Sequence, residues 1–230
     1  MINYFEGHTL LINKPLGWTS FDVVKKIRNT LKPQLDGKKL KVGHAGTLDP
    51  LADGLLIICT GKYTKKIHKF QSLEKEYTAE FTLGATRPSY DLETSIDKQY
   101  PIKHITAEML YAAANMLTGD ILQRPPIYSA IKQNGKRLYE LARKGENVNI
   151  KKRIVHVYEF EITNIDLPKV SARIRCSKGT YIRSLADSFG KKVDSGAYLS
   201  QLTRTKIGSY KLEQAIDIET FTESIEQSNP

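Results

Sequence analysis

The stretch RIVHVYEFEI at residues 153–162 is followed closely by KVSARIRC at residues 169–176. In both stretches apolar and polar side chains alternate, which predicts two β-strands that each bury one face. A helix is predicted to begin near Tyr181, shortly after the second strand. Strands and helices follow one another along the chain without a regular βαβ period, so the pattern favours an α+β fold with a largely antiparallel sheet.

The rest of the chain agrees with this fold class. Residues 76–83 alternate cleanly and residues 55–59 are all apolar, so both stretches are predicted strands. The other predicted elements are a strand at 9–13, a helix at 21–31 with Ser20 as its cap and Phe21 on its apolar face, a helix at 106–117 and a short basic helix at 136–144.

The chain shows no internal repeat, low-complexity tract or linker, so residues 1–230 are expected to form a single domain. The acidic tail at 212–230 is predicted to pack as a last helix. The side chains expected to face inward there are Leu212, Ala215, Ile216 and Ile218.

Composition excludes several protein classes. The chain is 40% hydrophobic and 26% charged, which is ordinary for a soluble globular protein and unlike a disordered one. No run approaches the roughly 20 apolar residues of a membrane helix, and residues 1–6 do not resemble a signal peptide. The two cysteines, Cys59 and Cys176, are too few for a disulfide framework or a cysteine-based zinc site. A cytoplasmic protein is therefore expected.

The distribution of charge indicates a partner. Residues 1–211 hold all 35 Lys and Arg residues and 20 of the 25 acidic residues, for a net charge of +15. Such a basic body suggests a polyanion, with nucleic acid favoured over a membrane surface.

The segment GHAGTLDPLADG at residues 43–54 concentrates residues that are suited to chemistry. Its glycines allow a ligand to approach the backbone, and Pro50 restricts the chain directly after Asp49. From spacing alone, Asp49 could equally cap local amides in an Asx-turn, and His44 could be structural.

Two further segments have open interpretations. CSKGTYIRSL at 176–185 leads from a strand into a helix whose first turn could bind an anion or carry only a surface arginine. QRPPIYSAIK at 123–132 contains two prolines, which present Tyr128 and Lys132 rigidly or form an ordinary surface loop. A nucleotide site at GKYT, residues 61–64, is rejected because the upstream glycine is missing.

Taken together, these motifs resemble the TruB family of tRNA pseudouridine synthases. The similar blocks, in the family's order across residues 9–211, are NKPLGWTS (13–20), GHAGTLDPLADG (43–54), KEY (75–77) with LG (83–84), PPIYSAIK (125–132) and CSKGTYIR (176–183). The resemblance implies the pseudouridine-synthase fold, a single α+β domain in which helices flank a mixed, mostly antiparallel sheet.

The resemblance also implies an activity. Members of the family convert uridine 55 in the T loop of tRNA to pseudouridine, and the match makes Asp49 the essential carboxylate. It would either attack C1′ of the ribose or take the 2′ proton to give a glycal, and the sequence does not choose between these routes. Isomerisation has no net redox or hydrolytic step, so no metal or organic cofactor is expected.

Other site residues follow from the same resemblance. Arg183 matches the arginine that pairs with the aspartate, and Tyr77 matches the aromatic ring that stacks on the target base, with its hydroxyl placed to help move the C5 proton. His44 matches a residue that displaces stacked bases, and Tyr181 and Leu202 match pocket positions. The expected contacts with the RNA backbone are Lys14 and, in the family's thumb segment, Lys132, Arg137, Arg143 and Lys144.

The chain departs from the family in two places. The usual T-x-T-x-D-x-x-G run reads RPSYDLET at residues 87–94, which keeps Asp91 but replaces the first Thr by Arg87 and the Gly by Thr94. This replacement leaves the geometry of the loop open. The tail is also too short for the small C-terminal RNA-binding domain of many members, which predicts weaker tRNA affinity.

Two other functions are weighed against this one. A tRNA-binding or tRNA-folding protein with little or no catalysis would keep the same motifs. A retaining glycosidase using Asp49 and Asp53 fits glycosidic chemistry, but not the +15 body or the lack of aromatic sugar platforms. The expected partner is the tRNA T-stem-loop, bound by a monomer without a membrane or protein partner.

Overall fold

The computed structural model describes residues 3–35, 37–129, 132–133, 135–143 and 150–227. The helices of this part of the chain are α1 (Ser20–Leu31), α2 (Ile67–Ser72), α3 (Ala107–Met116), α4 (Leu138–Arg143), α5 (Ile182–Lys192) and α6 (Ile218–Gln227). Its strands are β1 (Thr9–Lys14), β2 (Val42–His44), β3 (Asp53–Thr60), β4 (Lys75–Leu83), β5 (Ala85–Thr86), β6 (Lys98–Gln99), β7 (Gly119–Gln123), β8 (Lys132–Gln133), β9 (Lys136–Arg137), β10 (Arg153–Asp166), β11 (Lys169–Cys176), β12 (Ala197–Ile207), β13 (Tyr210–Lys211) and β14 (Ile216–Asp217).

The chain divides into two compact units, and β4 and β12 each contribute residues to both. The first unit comprises residues 1–77 and 202–230, and the second comprises residues 78–201.

In the first unit the strand order is β14–β1–β3–β12. β1 and β2 both run antiparallel to β3, whereas β12 runs parallel to it. Residues 55–59 of the central strand β3 are all apolar, and both faces of the strand are covered there. Leu56 and Ile58 face a core that includes α1 and α6, and Leu55 and Ile57 face a second core with Ile207 of β12.

In the second unit the strand order is β4–β11–β10–β7. β10 runs antiparallel to both β11 and β7. The core of this unit contains Phe81, Phe160 and Phe189, whose ring centroids lie 5.5–5.9 Å apart. The two units therefore confirm the predicted α+β class and the mostly antiparallel strand pairing.

The N-terminal end of α1 differs from the prediction. Thr19, not Ser20, is the N-cap: its hydroxyl accepts the Asp22 N–H, and the Asp22 carboxylate accepts the Thr19 N–H. Phe21 is 60% exposed, and Val23 takes the expected inward place beside Val24. Successive helical residues are about 100° apart around the axis, so Phe21 lies to one side of the buried stripe that Ser20, Val24, Ile27 and Leu31 form.

The predicted starts of two other helices are corrected. Lys136 and Arg137 form β9 and not the start of a basic helix, which begins at Leu138. The last helix begins at Ile218, since residues 212–214 form a 3₁₀ turn and Ile216 pairs with Ile12 of β1. Ile218 is buried as predicted, whereas Ile216 is 40% exposed.

Both cysteines are buried. Cys59 belongs to the second core of the first unit, and Cys176 ends β11 in the second unit. Burial raises the pKa of the Cys59 thiol to about 11.

Candidate active site

Asp49 lies in the first unit, on the loop between β2 and β3, and this loop is fastened by backbone contacts. The Ser20 hydroxyl donates to the Leu48 carbonyl at 3.0 Å and accepts the Leu48 N–H at 2.8 Å. On the other side of Asp49, the Pro50 carbonyl accepts the Gly17 N–H at 2.8 Å. The NKPLGWTS segment therefore holds the residues on either side of Asp49, while Asp49 itself is half-exposed.

Lys14 places a buried positive charge near this loop. Its side chain is 0% exposed, and its ammonium donates to the carbonyls of Pro15 and Trp18 at 2.9 and 2.6 Å. Burial lowers the pKa of Lys14 to about 8, although attraction to Asp53 and Asp49 opposes that change. Lys14 is thus fully buried beside this loop, and its contact with the RNA backbone stays a prediction.

His44 ends β2 and is half-buried. Burial, together with the positive charge of Arg204, lowers the pKa of His44 below its usual 6.5, and a hydrogen bond with the Gly46 backbone only partly opposes this. The imidazole is therefore neutral at pH 7, and it can stack against a base without bringing a charge.

Tyr77 and Leu202 complete the predicted residues of the first unit. Tyr77 is a buried residue of β4, and its hydroxyl accepts a hydrogen bond from the Arg204 guanidinium. Leu202 is half-buried on β12, two residues before Arg204. The first unit thus holds five of the predicted residues, which are Lys14, His44, Asp49, Tyr77 and Leu202.

Arg183 and Tyr181 belong to the second unit, at the start of α5. Arg183 is 3% exposed, and its guanidinium donates to the carbonyls of Ser89 and Tyr128 at 3.3 and 2.9 Å. In the same unit, a carboxylate oxygen of Asp91 lies 3.5 Å from the Arg183 guanidinium. These contacts fix the orientation of a buried cation.

The loop at residues 87–94 keeps Asp91 near Arg183 despite its departures from the family pattern. The Thr94 hydroxyl accepts the Ser89 N–H at 3.1 Å and lies 2.8 Å from the Ser89 hydroxyl. Arg87 donates to the Thr94 carbonyl, so both substituted residues close the loop. The two replacements are therefore compatible with a closed loop that places Asp91 beside Arg183.

Tyr181 is the N-cap of α5, and its main chain is held by one side chain. The Gln123 amide accepts the Tyr181 N–H at 2.8 Å and donates to the Tyr181 carbonyl at 3.0 Å. The Arg153 guanidinium lies 5.2 Å from the centroid of the Tyr181 ring, a cation–π distance. Gln123 therefore holds the main chain of Tyr181, and Arg153 lies at its ring.

The thumb residues are described only in part. The backbone of Lys132 lies in β8, that of Arg137 in β9 and that of Arg143 in α4, and Lys144 lies outside the described residues. Their contacts with RNA stay predictions.

Three functional contributions were not foreseen: the contacts of Arg204, the Ser20 bonds to Leu48, and the Gln123 clamp on Tyr181. The sequence predicts Ser20 as a helix cap, and only the neighbouring Thr19, a second possible cap, indicates that the Ser20 hydroxyl is free for another role. An arginine between Thr203 and Thr205, two strand-forming residues, is the signal that could have located Arg204 in a strand.

Two features of the described residues bear on other classes of function. Within the described ranges, no group of three His, Cys, Asp or Glu side chains is placed to hold a metal ion. Among the described helices, none has both the length and the apolar character needed to span a bilayer.

Comparison with known proteins reveals relatives along nearly the whole chain. Residues 29–182 match the family model described as TruB family pseudouridylate synthase (N terminal domain). The tRNA pseudouridine synthase B of Flavobacterium johnsoniae is 54% identical over 224 residues, which cover 97% of this chain and 98% of that protein. The tRNA pseudouridine synthase B of Phocaeicola vulgatus is 51% identical over 226 residues, covering 98% of this chain and 96% of that protein.

Solved structures share the fold. A chain of a Cbf5–Nop10–Gar1 complex aligns with a TM-score of 0.72 at 28% identity, covering 96% of this chain and 54% of that chain. A chain of an archaeal box H/ACA sRNP Nop10–Cbf5 complex aligns with a TM-score of 0.69 at 25% identity, with coverages of 96% and 54%. This chain therefore spans about half the length of those chains.

Proposed function

The chain belongs to the TruB family of pseudouridylate synthases, and we propose that it converts uridine 55 in the T loop of tRNA to pseudouridine. The observation that carries the proposal is the placement of Asp49. Asp49 is half-buried on a loop fastened to residues 17 and 20, and the buried ammonium of Lys14 attracts its carboxylate. A carboxylate that is both held in place and open to a ligand suits attack on a ribose carbon or removal of a ribose proton.

The target uridine must leave its stack before it can reach Asp49. Flipping costs a few kcal/mol, which contacts with the displaced base and its neighbours must offset. We assign the ring of Tyr77 to stacking on the uracil, and Tyr181 and Leu202 to the walls around it. A neutral His44 then fills the space that the base has left.

The chemical steps follow from the bonds that must change. The N1–C1′ bond breaks, the uracil turns, C5 bonds to C1′, and the C5 proton leaves. Asp49 acts either at C1′ or at the 2′ proton, and we leave both routes open. The family resemblance assigns Arg183 to the aspartate, which it would keep ionised.

Affinity is expected to come largely from phosphate contacts. Within the first unit, the exposed side chains Lys62, Lys65, Lys66, His68 and Lys69 follow one another around α2, and residues 61–73 include no acid. Such a surface attracts a polyanion without reading its sequence. Lys132, Arg143 and Lys144 remain proposed backbone contacts. We also propose that the protein acts as a monomer in the cytoplasm.

The experiment that tests this function is tritium release from 5-tritiated uridine in an unmodified T-stem-loop RNA. Wild type is compared with Asp49→Asn and with Asp53→Asn, a matched change four residues along the same segment. We expect release by wild type and Asp53→Asn, none by Asp49→Asn, and similar RNA affinity for all three. Release by Asp49→Asn would assign the chemistry to another carboxylate. Tight binding by a wild type that releases nothing would favour the alternative, a tRNA-binding or tRNA-folding protein.

A further inference from the structure

Arg204 is a buried cation with an unusual set of contacts. It is 1% exposed, and burial lowers the pKa of its guanidinium below the ordinary value without removing its charge at neutral pH. Burying a charge costs several kcal/mol unless hydrogen bonds compensate, and an apolar side chain of similar volume is often at least as stabilising. Packing alone therefore does not explain an arginine at this position.

The contacts of Arg204 join three separate parts of the first unit. Its Nε donates to the Leu55 carbonyl on β3 at 2.7 Å, and a terminal nitrogen donates to the Gly46 carbonyl at 3.2 Å. The third contact is the hydrogen bond to the Tyr77 hydroxyl on β4. Gly46 lies three residues before Asp49, and a Cβ at Gly46 would come within 3.7 Å of the guanidinium.

The direction of the Tyr77 bond has a chemical consequence. A guanidinium only donates hydrogen bonds, so the phenol oxygen of Tyr77 must be the acceptor. The hydroxyl hydrogen is then directed elsewhere, and one lone pair of the oxygen is occupied. The positive charge also stabilises negative charge on that oxygen.

We propose that Arg204 is a positioning residue for the reaction, which fixes the Tyr77 hydroxyl relative to the loop that carries Asp49. The inference rests on the function proposed above, since it concerns how the base-stacking tyrosine and the carboxylate are kept in register. Arg204 acts through these two residues and needs no contact with RNA. Its charge also contributes to lowering the pKa values of His44 and Lys14, which agrees with a central position among the predicted residues of this unit.

The test is a double-mutant cycle in single-turnover tritium release at saturating RNA. Arg204→Met is made in wild type and in Tyr77→Phe, and RNA affinity and melting temperature are measured for each protein. We expect Arg204→Met to slow release about 100-fold, the effect of a small misplacement, with RNA affinity changed less than about twofold. In the Tyr77→Phe background the same change should slow release less than about threefold, and Arg204→Lys should recover part of the rate.

Lys206→Met is the matched control. Lys206 lies two residues further along β12 and pairs with Glu76 at 3.0 Å, next to Tyr77 in the chain. Removing this cation should change the release rate less than about twofold. Equal slowing by Lys206→Met would overturn a specific role for Arg204, and so would equal effects of Arg204→Met in the two backgrounds.

A second measurement separates this inference from the activity itself and from misfolding. 3-Fluorotyrosine is placed at position 77 of the full chain, and its ¹⁹F resonance is compared between wild type and Arg204→Lys, without RNA. A changed shift supports the contact, and an unchanged shift overturns it even if the enzyme is active. If wild type releases no tritium, the proposed function fails while this spectrum still reports on Arg204. If Arg204→Met does not fold, Arg204→Lys takes its place in the cycle.

Discussion

The buried ammonium of Lys14 leads to a specific expectation for the pH dependence of stability. The folded protein holds Lys14 with a pKa of about 8, against an ordinary value of 10.5. Since one pKa unit corresponds to about 1.4 kcal/mol, the folded chain binds this proton about 3 kcal/mol less tightly than the unfolded chain. Below pH 8 both states carry the proton, and the difference is constant. Between pH 8 and pH 10.5 the unfolded chain binds more protons, so the free energy of unfolding gains a contribution that rises with pH.

The perturbation is Lys14→Met, which removes the titrating group and keeps an unbranched stem. Urea unfolding of both proteins at several pH values between 7 and 10.5 gives the difference in their free energies of unfolding, and that difference cancels the other titrating groups. We expect the free energy of wild type, relative to the variant, to rise by about 3 kcal/mol over this range. Lys25→Met, on the exposed face of α1, is the control and should give a flat difference. A flat or falling difference for Lys14→Met would refute the reasoning.

Three further changes test the fold. Thr19→Ala removes the N-cap of α1 and should lower the free energy of unfolding, measured in urea, by about 1 kcal/mol. Thr19→Ser keeps the capping hydroxyl and should be nearly neutral, and equal losses for the two variants would contradict the capping box. Gly54→Ala should lower the free energy of unfolding by at least about 2 kcal/mol in the same assay, because Gly54 has φ +97° and a Cβ there would lie 2.5 Å from the Arg204 carbonyl oxygen. An unchanged urea midpoint would argue against that close approach. Phe221→Ala should lower the free energy of unfolding by about 3–5 kcal/mol, because Phe221 is buried in the core with α1. Glu223→Ala, at an exposed position of the same helix, should lower it by less than about 0.5 kcal/mol, and similar losses for the two variants would show that α6 does not pack on that core.

The elements that local patterns describe well were predicted correctly. β4 alternates between two environments and β3 is covered on both faces, so each leaves a periodic signature in its own residues. β12 was not predicted, because its residues do not alternate regularly and one of its buried positions carries Arg204. The sequence of the tail predicts a helix from residue 212, yet Ile216 pairs with Ile12, a partner more than 200 residues away. Such pairing leaves no local trace.

The same division applies to the candidate site. Asp49 and its loop are recognisable from motif letters, because the motif is contiguous. The burial of Lys14 is not recognisable in this way. A lysine followed by Pro15 and Gly17 is expected in an exposed turn, and only the folded structure shows that it is buried. The closure of the 87–94 loop by Thr94 and Arg87 also required coordinates, because it depends on hydrogen bonds between side chains and the backbone.

The burial of both cysteines has a practical consequence for studying RNA engagement. A maleimide reacts with an accessible thiolate, and Cys59 and Cys176 are 0% and 1% exposed, with the pKa of Cys59 near 11. Native thiols therefore compete little for the reagent while the protein stays folded. A cysteine introduced at an exposed position such as Lys25 accepts a fluorophore selectively, and the two natural cysteines can stay in place. Distance changes between that dye and a labelled tRNA then become measurable in the otherwise unaltered enzyme.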